Sequence, residues 1–204
     1  EDAAEADTLE VDLLDGPSGL TATVRLTIFR DHAALARSIT VRNDGRAQVG
    51  IETLMSASLD IQDGEWELIT LHGAWSRERH VVRAPLVPGR RAVESLRGSS
   101  SLEQSPFLAL VRASTTESQG EAIGMSLVYS GDFLADAQVD LGGGGVHVEL
   151  VGDVGGDGDN AGEAAGSGGL LSRHAHRYGV EGDFVALLDG RVGGDAGQAG
   201  GQGA

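Results

Sequence analysis

Through most of the first 140 positions apolar and polar side chains alternate one by one, and this feature excludes more folds than any other in the chain. A strand turns successive side chains to opposite faces, so a period of two sends one set inward and the other to solvent. Leu9, Val11 and Leu13 open the series. Leu20, Ala22, Val24, Leu26 and Ile28 then face one way and Thr21, Thr23, Arg25 and Thr27 the other, residue types that suit a pleated, half-buried surface. After Leu35, Ile39 and Val41, the triplet Asn43, Asp44, Gly45 tolerates left-handed backbone and predicts a hairpin into the run Val49, Ile51, Met55, Ala57, Leu59, Ile61. Further strands are expected over 66–71, 107–113 and 122–129, with a last one at Val146, Val148 and Leu150. Helical periodicity is not sustained anywhere in this part. Many strands with no helices between them imply antiparallel sheets stacked face to face, because one sheet could not bury so many apolar faces. The expected fold is therefore all-β, a large antiparallel β-sandwich over residues 1–150.

Beyond residue 140 the composition changes, with 21 of the 32 glycines falling there. Residues 152–169, GDVGGDGDNAGEAAGSGG, have little to bury and carry the backbone entropy cost of glycine, so disorder is expected. GLLSRHAHRYGVEGDFVALLDG could hold a short helix or a strand pair, and DAGQAGGQGA reads as a loose end. Residues 151–204 are thus expected to be a glycine-rich, low-complexity tail and not a native domain. All 15 basic residues are arginine and lysine is absent, as GC-rich coding DNA would give. A change of reading frame near residue 140 would produce such a tail; a genuine linker is the other origin.

The formal net charge of −16 argues against nucleic acid, whose readers need a clustered positive surface. With no cysteine there is no disulfide framework and no thiolate chemistry, which fits a cytoplasmic protein. No apolar run of about 18 residues and no signal-like segment occurs, so no membrane partner is expected. The first residue is Glu1, and truncation at both ends is the expectation.

Catalytic and metal motifs are not distinguished by spacing. Two carboxyl groups about 5–5.5 Å apart can perform retaining glycoside hydrolysis, but 31 acidic residues offer no way to select a pair. No G-x-S-x-G elbow is present. Asp157, Asp159, Asn160, Gly162 and Glu163 resemble a calcium loop, yet its fifth and twelfth positions are Ala161 and Gly168. His174 and His176 lack an identifiable third ligand. Gly142 to Gly145 lack the lysine of a phosphate loop, and Gly98 to Ser101 read as a turn. No catalytic residue, metal ligand or cofactor is assigned.

One stretch invites a binding role. In LHGAWSRERHVVRAPLVPG, residues 71–89, a strand would place Trp75, Arg77 and Arg79 on one face and Ser76 and Glu78 on the other. The plainer reading is an edge strand whose arginines lie across the tryptophan, a cation over a ring. The functional reading makes Trp75, Arg77, Glu78 and Arg79 a contact with another domain or subunit, since tryptophan and arginine dominate interface energetics. Pro85 and Pro88 would end the strand and Gly89 would turn the chain.

HGAWSRER at 72–79, RAPLVPG at 83–89, ESLRGSSS at 94–101, PFLALV at 106–111 and GEAIGMSLVYSGDF at 120–133 resemble, in order and spacing, the amino-terminal domain of bacterial α-galactosidases of glycoside hydrolase family 36. The resemblance extends upstream through LDGPSGLTATVRLTIFRDHAALARSITVRNDG and covers about residues 9–140. It implies a large β-sandwich packed against a (β/α)8 barrel, often in a homotetramer. It also implies retaining hydrolysis of terminal α-galactosides such as melibiose and raffinose by two aspartates of that barrel. Those aspartates have no counterpart here, so the fragment alone is expected to be inactive. Where the family has YSGN this chain has YSGD, with Asp132 in place of the amide. The alternative function is a stand-alone carbohydrate-binding or assembly module.

Overall fold

The computed structural model describes residues 5–51, 53–62, 64–100, 102–128, 131–140, 142, 145–152, 155–156, 173–175 and 180–192, the last three segments by backbone only. Among the described residues every regular element is a strand: β1 (Ala6–Asp15), β2 (Leu20–Phe29), β3 (Ala34–Asn43), β4 (Val49–Ile51), β5 (Ala57–Ile61), β6 (Trp66–Ala74), β7 (Arg77–Pro85), β8 (Gly89–Ser95), β9 (Gln104–Arg112), β10 (Gly120–Leu127), β11 (Phe133–Val139), β12 (Val146–Gly152), β13 (Gly155–Gly156), β14 (Arg173–Ala175) and β15 (Val180–Val192). The large sheet runs β1-β2-β3-β15-β10-β9-β6-β7, with β13 also on β15. A four-stranded sheet runs β5-β12-β11-β8, and β4 pairs with β14. All pairings are antiparallel.

The alternation in sequence becomes the inner face of this sandwich. Leu108 and Leu110 of β9, Met125 and Leu127 of β10 and Trp66 and Leu68 of β6 meet Phe133, Ala135 and Ala137 of β11 and Val146, Val148 and Leu150 of β12. Burying a side chain of this size stabilises by about 1.5–3 kcal/mol relative to leaving it in water, so this cluster dominates folding. Trp66 Nε1 donates to the Gln62 carbonyl at 3.1 Å, which satisfies the indole, and the Arg112 guanidinium lies 3.6 Å from its ring centroid.

Two expectations need correction. Asn43–Gly45 do not close a hairpin. The Asn43 side chain turns the backbone, with Gly45 N donating to Oδ1 at 3.0 Å and Nδ2 donating to the Ala47 carbonyl at 2.9 Å. The chain then leaves the sheet, because β4 pairs with β14 and β5 joins the small sheet. The run from Val49 to Ile61 is accordingly two strands, not one. The tight reversal lies earlier, between β1 and β2, where Gly19 adopts φ 74° and Gly19 N donates to the Asp15 carbonyl at 2.8 Å.

The glycine-rich stretches 153–154, 157–172 and 193–204 lie outside the described residues, as do the calcium-like loop and His176. Within 151–204 the backbone of β15 lies between β3 and β10, in register from Val180 opposite Val41 and from Val185 opposite Leu127. It joins the β1-β2-β3 wing to the β10-β9-β6-β7 half. His174 sits in β14 opposite Gly50.

Candidate functional site

The opening strand of the LHGAWSRERHVVRAPLVPG stretch does not continue through Trp75. β6 ends at Ala74, which pairs with Arg77, so Trp75 and Ser76 form a two-residue turn between β6 and β7. Gly73 makes this possible: a Cβ there would lie 2.7 Å from the carbonyl oxygens of both Arg77 and Leu102. No asparagine or glycine marks the turn itself, which is why the alternation concealed it. The register slips between His72 and Ala74, and Arg79 takes up the extra length at φ 58° while Ser76 sits at φ 64°. These are the two non-glycine residues with positive φ among the described residues, and such backbone costs about 1–3 kcal/mol each.

The expected single face carrying Trp75, Arg77 and Arg79 is therefore replaced by a protruding tip. Trp75 is 85% exposed, and the ring that receives a guanidinium is Trp66, not Trp75. β7 is the edge of the large sheet, as the plainer reading required. It ends at Pro85, and Gly89 turns into β8 at φ 118°. Arg83 anchors the edge, donating to Glu67 and to the carbonyls of Thr115, Arg112 and Ala113 at 2.7, 3.0 and 3.1 Å. Ser76 N donates to Glu78 Oε1 at 2.9 Å, folding the turn onto its own strand. Arg77 and Arg79 make no ion pair among the described residues.

An open cleft of about 730 Å³ lies beside this tip. Glu78 and Arg79 form one side, and Ser99, Ser100, Leu102 and Ser105 the other. The opposite side is held in place by Gly73 N donating to the Glu103 carbonyl at 3.0 Å and by Ser95 Oγ donating to the Ser99 carbonyl at 2.8 Å. Asp132, where the resemblance called for an amide, accepts from Gly98 N at 2.5 Å. A side-chain amide oxygen can accept the same bond, so the exchange is chemically conservative. The sequence reading singled out the two charged residues of this cleft but assigned Gly98 to Ser101 to a turn alone; only the fold brings Ser99 and Ser100 opposite the tip.

A wide antiparallel sheet faced by a smaller one, with an edge hairpin projecting from it, defines an all-β domain of the sandwich class. The family model for the glycosyl hydrolase family 36 N-terminal domain matches residues 1–148, and the chain belongs to that family. It is 43% identical over 136 residues to alpha-galactosidase AgaA of Geobacillus stearothermophilus, covering 67% of this chain and 19% of that protein. A variant of that enzyme solved in complex with raffinose superposes with a TM-score of 0.79 at 34% identity, over 93% of this chain and 24% of that one. The alpha-galactosidase of Lactobacillus brevis gives a TM-score of 0.79 at 31% identity, over 95% and 24%. The chain thus spans about a fifth of the length of the curated relative it matches.

Proposed function

We propose that the chain is the non-catalytic sandwich of an α-galactosidase that releases terminal galactose from α-galactosides such as melibiose and raffinose with retention. The nucleophile and the acid/base aspartate would lie on a (β/α)8 barrel, which needs roughly 250 residues. The observation that carries this reading is 43% identity confined to 19% of a full-length α-galactosidase. The tip formed by Trp75, Arg77, Glu78 and Arg79 is the contact through which the domain meets that barrel or a neighbouring subunit of a homotetramer, with Trp75 and Arg77 as its anchors. Its support is an exposed indole beside unpaired guanidinium groups, a combination enriched at interface hot spots. The family model matches residues 1–148, which supports reading 151–204 as no domain by itself, and the structural superpositions extend over 93–95% of the chain. A cytoplasmic location accords with the absence of cysteine.

Two measurements test the proposal. The purified 204-residue chain should release no nitrophenol from an activated α-galactoside, and measurable turnover would overturn the non-catalytic reading. Sequencing the source DNA downstream of codon 130 in every frame should recover a barrel with its aspartates. A confirmed stop after residue 204 would instead favour a stand-alone binding or assembly module, for which the exposed Trp75 would be the platform.

A further inference from the structure

We propose that the two ends of the large sheet are complementary to each other, so that the β7 edge of one copy of this chain pairs antiparallel with the β1 edge of a second copy. Among the described residues β1 and β7 end the sheet, each with a single neighbouring strand. Such edges present unpaired N–H and C=O groups and act as templates for a further strand. Both edges also carry apolar side chains in solvent. Leu14 of β1 and Val81 of β7 are 73% and 65% exposed, and Leu13 and Val82 beside them are exposed as well. A strand laid along either edge would cover both of its faces at once.

The two edges fit in one register. Leu86 N donates to the Trp66 carbonyl at 2.9 Å in a directly opposed pair, so Val81 and Arg83 turn their backbone groups away from β6. Arg30 N donates to the Glu5 carbonyl at 3.1 Å in the same way, so Asp12 and Leu14 turn theirs away from β2. Followed from strand to strand, the cross-strand partners put Val82 and Leu13 on the face turned to the small sheet and Val81 and Leu14 on the other. Setting Arg83 opposite Asp12 of the second copy satisfies both conditions. Val82 then meets Leu13 of the second copy, Val81 meets its Leu14 and His80 meets its Asp15, so that apolar faces apolar and base faces acid. Sliding the strands by two residues sets Val81 opposite Asp12 or Arg83 opposite Leu14, and the match is lost.

Like edges repel. Two β1 strands centred on Glu10, Val11 or Asp12 set acidic residues opposite each other. Two β7 strands centred on Val81 or His80 set Arg83 opposite Arg79 or Arg77. Charge complementarity therefore selects β1 as the partner of β7. The contact is heterologous: each copy offers one edge of each kind, so copies add head to tail and do not close as a pair. It uses the Pro85 end of β7, and the tip residues Trp75 to Arg79 take no part.

The test is light scattering and sedimentation of the 204-residue chain. The mean mass should rise beyond that of a dimer as the concentration is raised toward about 1 mM, the range of weak contacts. Leu14→Lys and Val81→Lys should each weaken association by about tenfold or more. Both side chains are exposed, so thermal unfolding near that of the parent is expected of the two variants. The Leu14→Lys chain retains an intact β7 and the Val81→Lys chain an intact β1, so an equimolar mixture should form a dimer and stop there. Formation of that dimer also shows that both variants are folded. A parent chain that stays monomeric would leave the edges to other parts of a longer protein and overturn the proposal. Unchanged association in either variant, or a mixture no larger than its components, would do the same. Loss of association in Trp75→Ser would assign the contact to the tip and equally overturn it. Any of these failures leaves the non-catalytic reading standing, since that reading is decided by nitrophenol release and not by association.

Discussion

The middle of the large sheet and its β1–β2 wing carry the same alternation of apolar residues, yet they end in opposite environments. In the middle, Leu108, Leu110 and Met125 lie under the small sheet and are fully buried. On the wing, Leu9 and Leu13 point to the same side of the same sheet, opposite Leu26 and Ala22, and remain 58% and 57% exposed. The four-stranded sheet is too narrow to reach them: its β11 and β8 approach β9, and its β12 approaches β10 and β15. Alternation thus specifies which side chains share a face, while burial depends on what is laid over that face.

Several experiments would break or sharpen this contrast. Ending the chain at Gly152 removes β15, the strand that joins the wing to the covered half. Loss of cooperative unfolding is expected by circular dichroism, and a chain that still melts as one unit would show that the wing holds without its bridge. Within the covered half, Leu110→Ala should cost about 2–5 kcal/mol in denaturant titration, the range for a cavity in a tight core.

Asp136 tests a different feature of the small sheet. It is 2% exposed on the sheet's outer face, where Arg90 Nη2 donates to its Oδ2 at 2.5 Å. Because Arg90 is itself half exposed, Arg90→Ala should cost only about 1–3 kcal/mol, mostly from leaving the buried carboxylate without its donor.

A smaller, pH-dependent effect is expected at His147. Asp60 Oδ1 lies 2.7 Å from its Nδ1 and Glu149 Oε1 lies 3.1 Å from its Nε2. The hydrogen bond to Asp60 foremost, and then that to Glu149, raise the imidazole above its ordinary pKa. A folded-state value above the unfolded one means that the stabilisation is complete below about pH 6.5 and is lost as pH rises through the folded value. The melting temperature should fall across that window, and His147→Gln should remove the slope. The smallest effect belongs to the wing: Leu13→Ser, at a position 57% exposed, should change stability by no more than about 0.5 kcal/mol in denaturant titration. A large destabilisation there would mean that the wing is covered after all.

Much of the strand content was legible because alternation is a local signal. The runs at 20–28, 66–71, 107–113 and 122–129 correspond to β2, β6, β9 and β10. Less legible were the breaks. Asn43–Gly45 carried hairpin chemistry but directed the chain out of the sheet, whereas the turn at Trp75 and Ser76 carried none and depends on Gly73 giving room to Arg77 and Leu102. All four candidate contact residues lie on one tip, but Trp75, Arg77 and Arg79 do not share the single strand face that their spacing suggested.

Taken alone, the amino-acid order determined that this chain builds antiparallel sheets, that alternate side chains of each strand supply an apolar interior, and, through its motifs, which family it belongs to. Those properties follow from the two-residue repeat of an extended backbone and from side-chain chemistry carried by each residue. Tertiary structure decided that β15 sits between β3 and β10, that the small sheet covers the middle and not the wing, and that Ser99, Ser100 and Ser105 face Glu78 and Arg79 across a cleft. A strand presents the same hydrogen-bonding edge to any partner, so its neighbours are selected only when distant segments compete to bury their faces together.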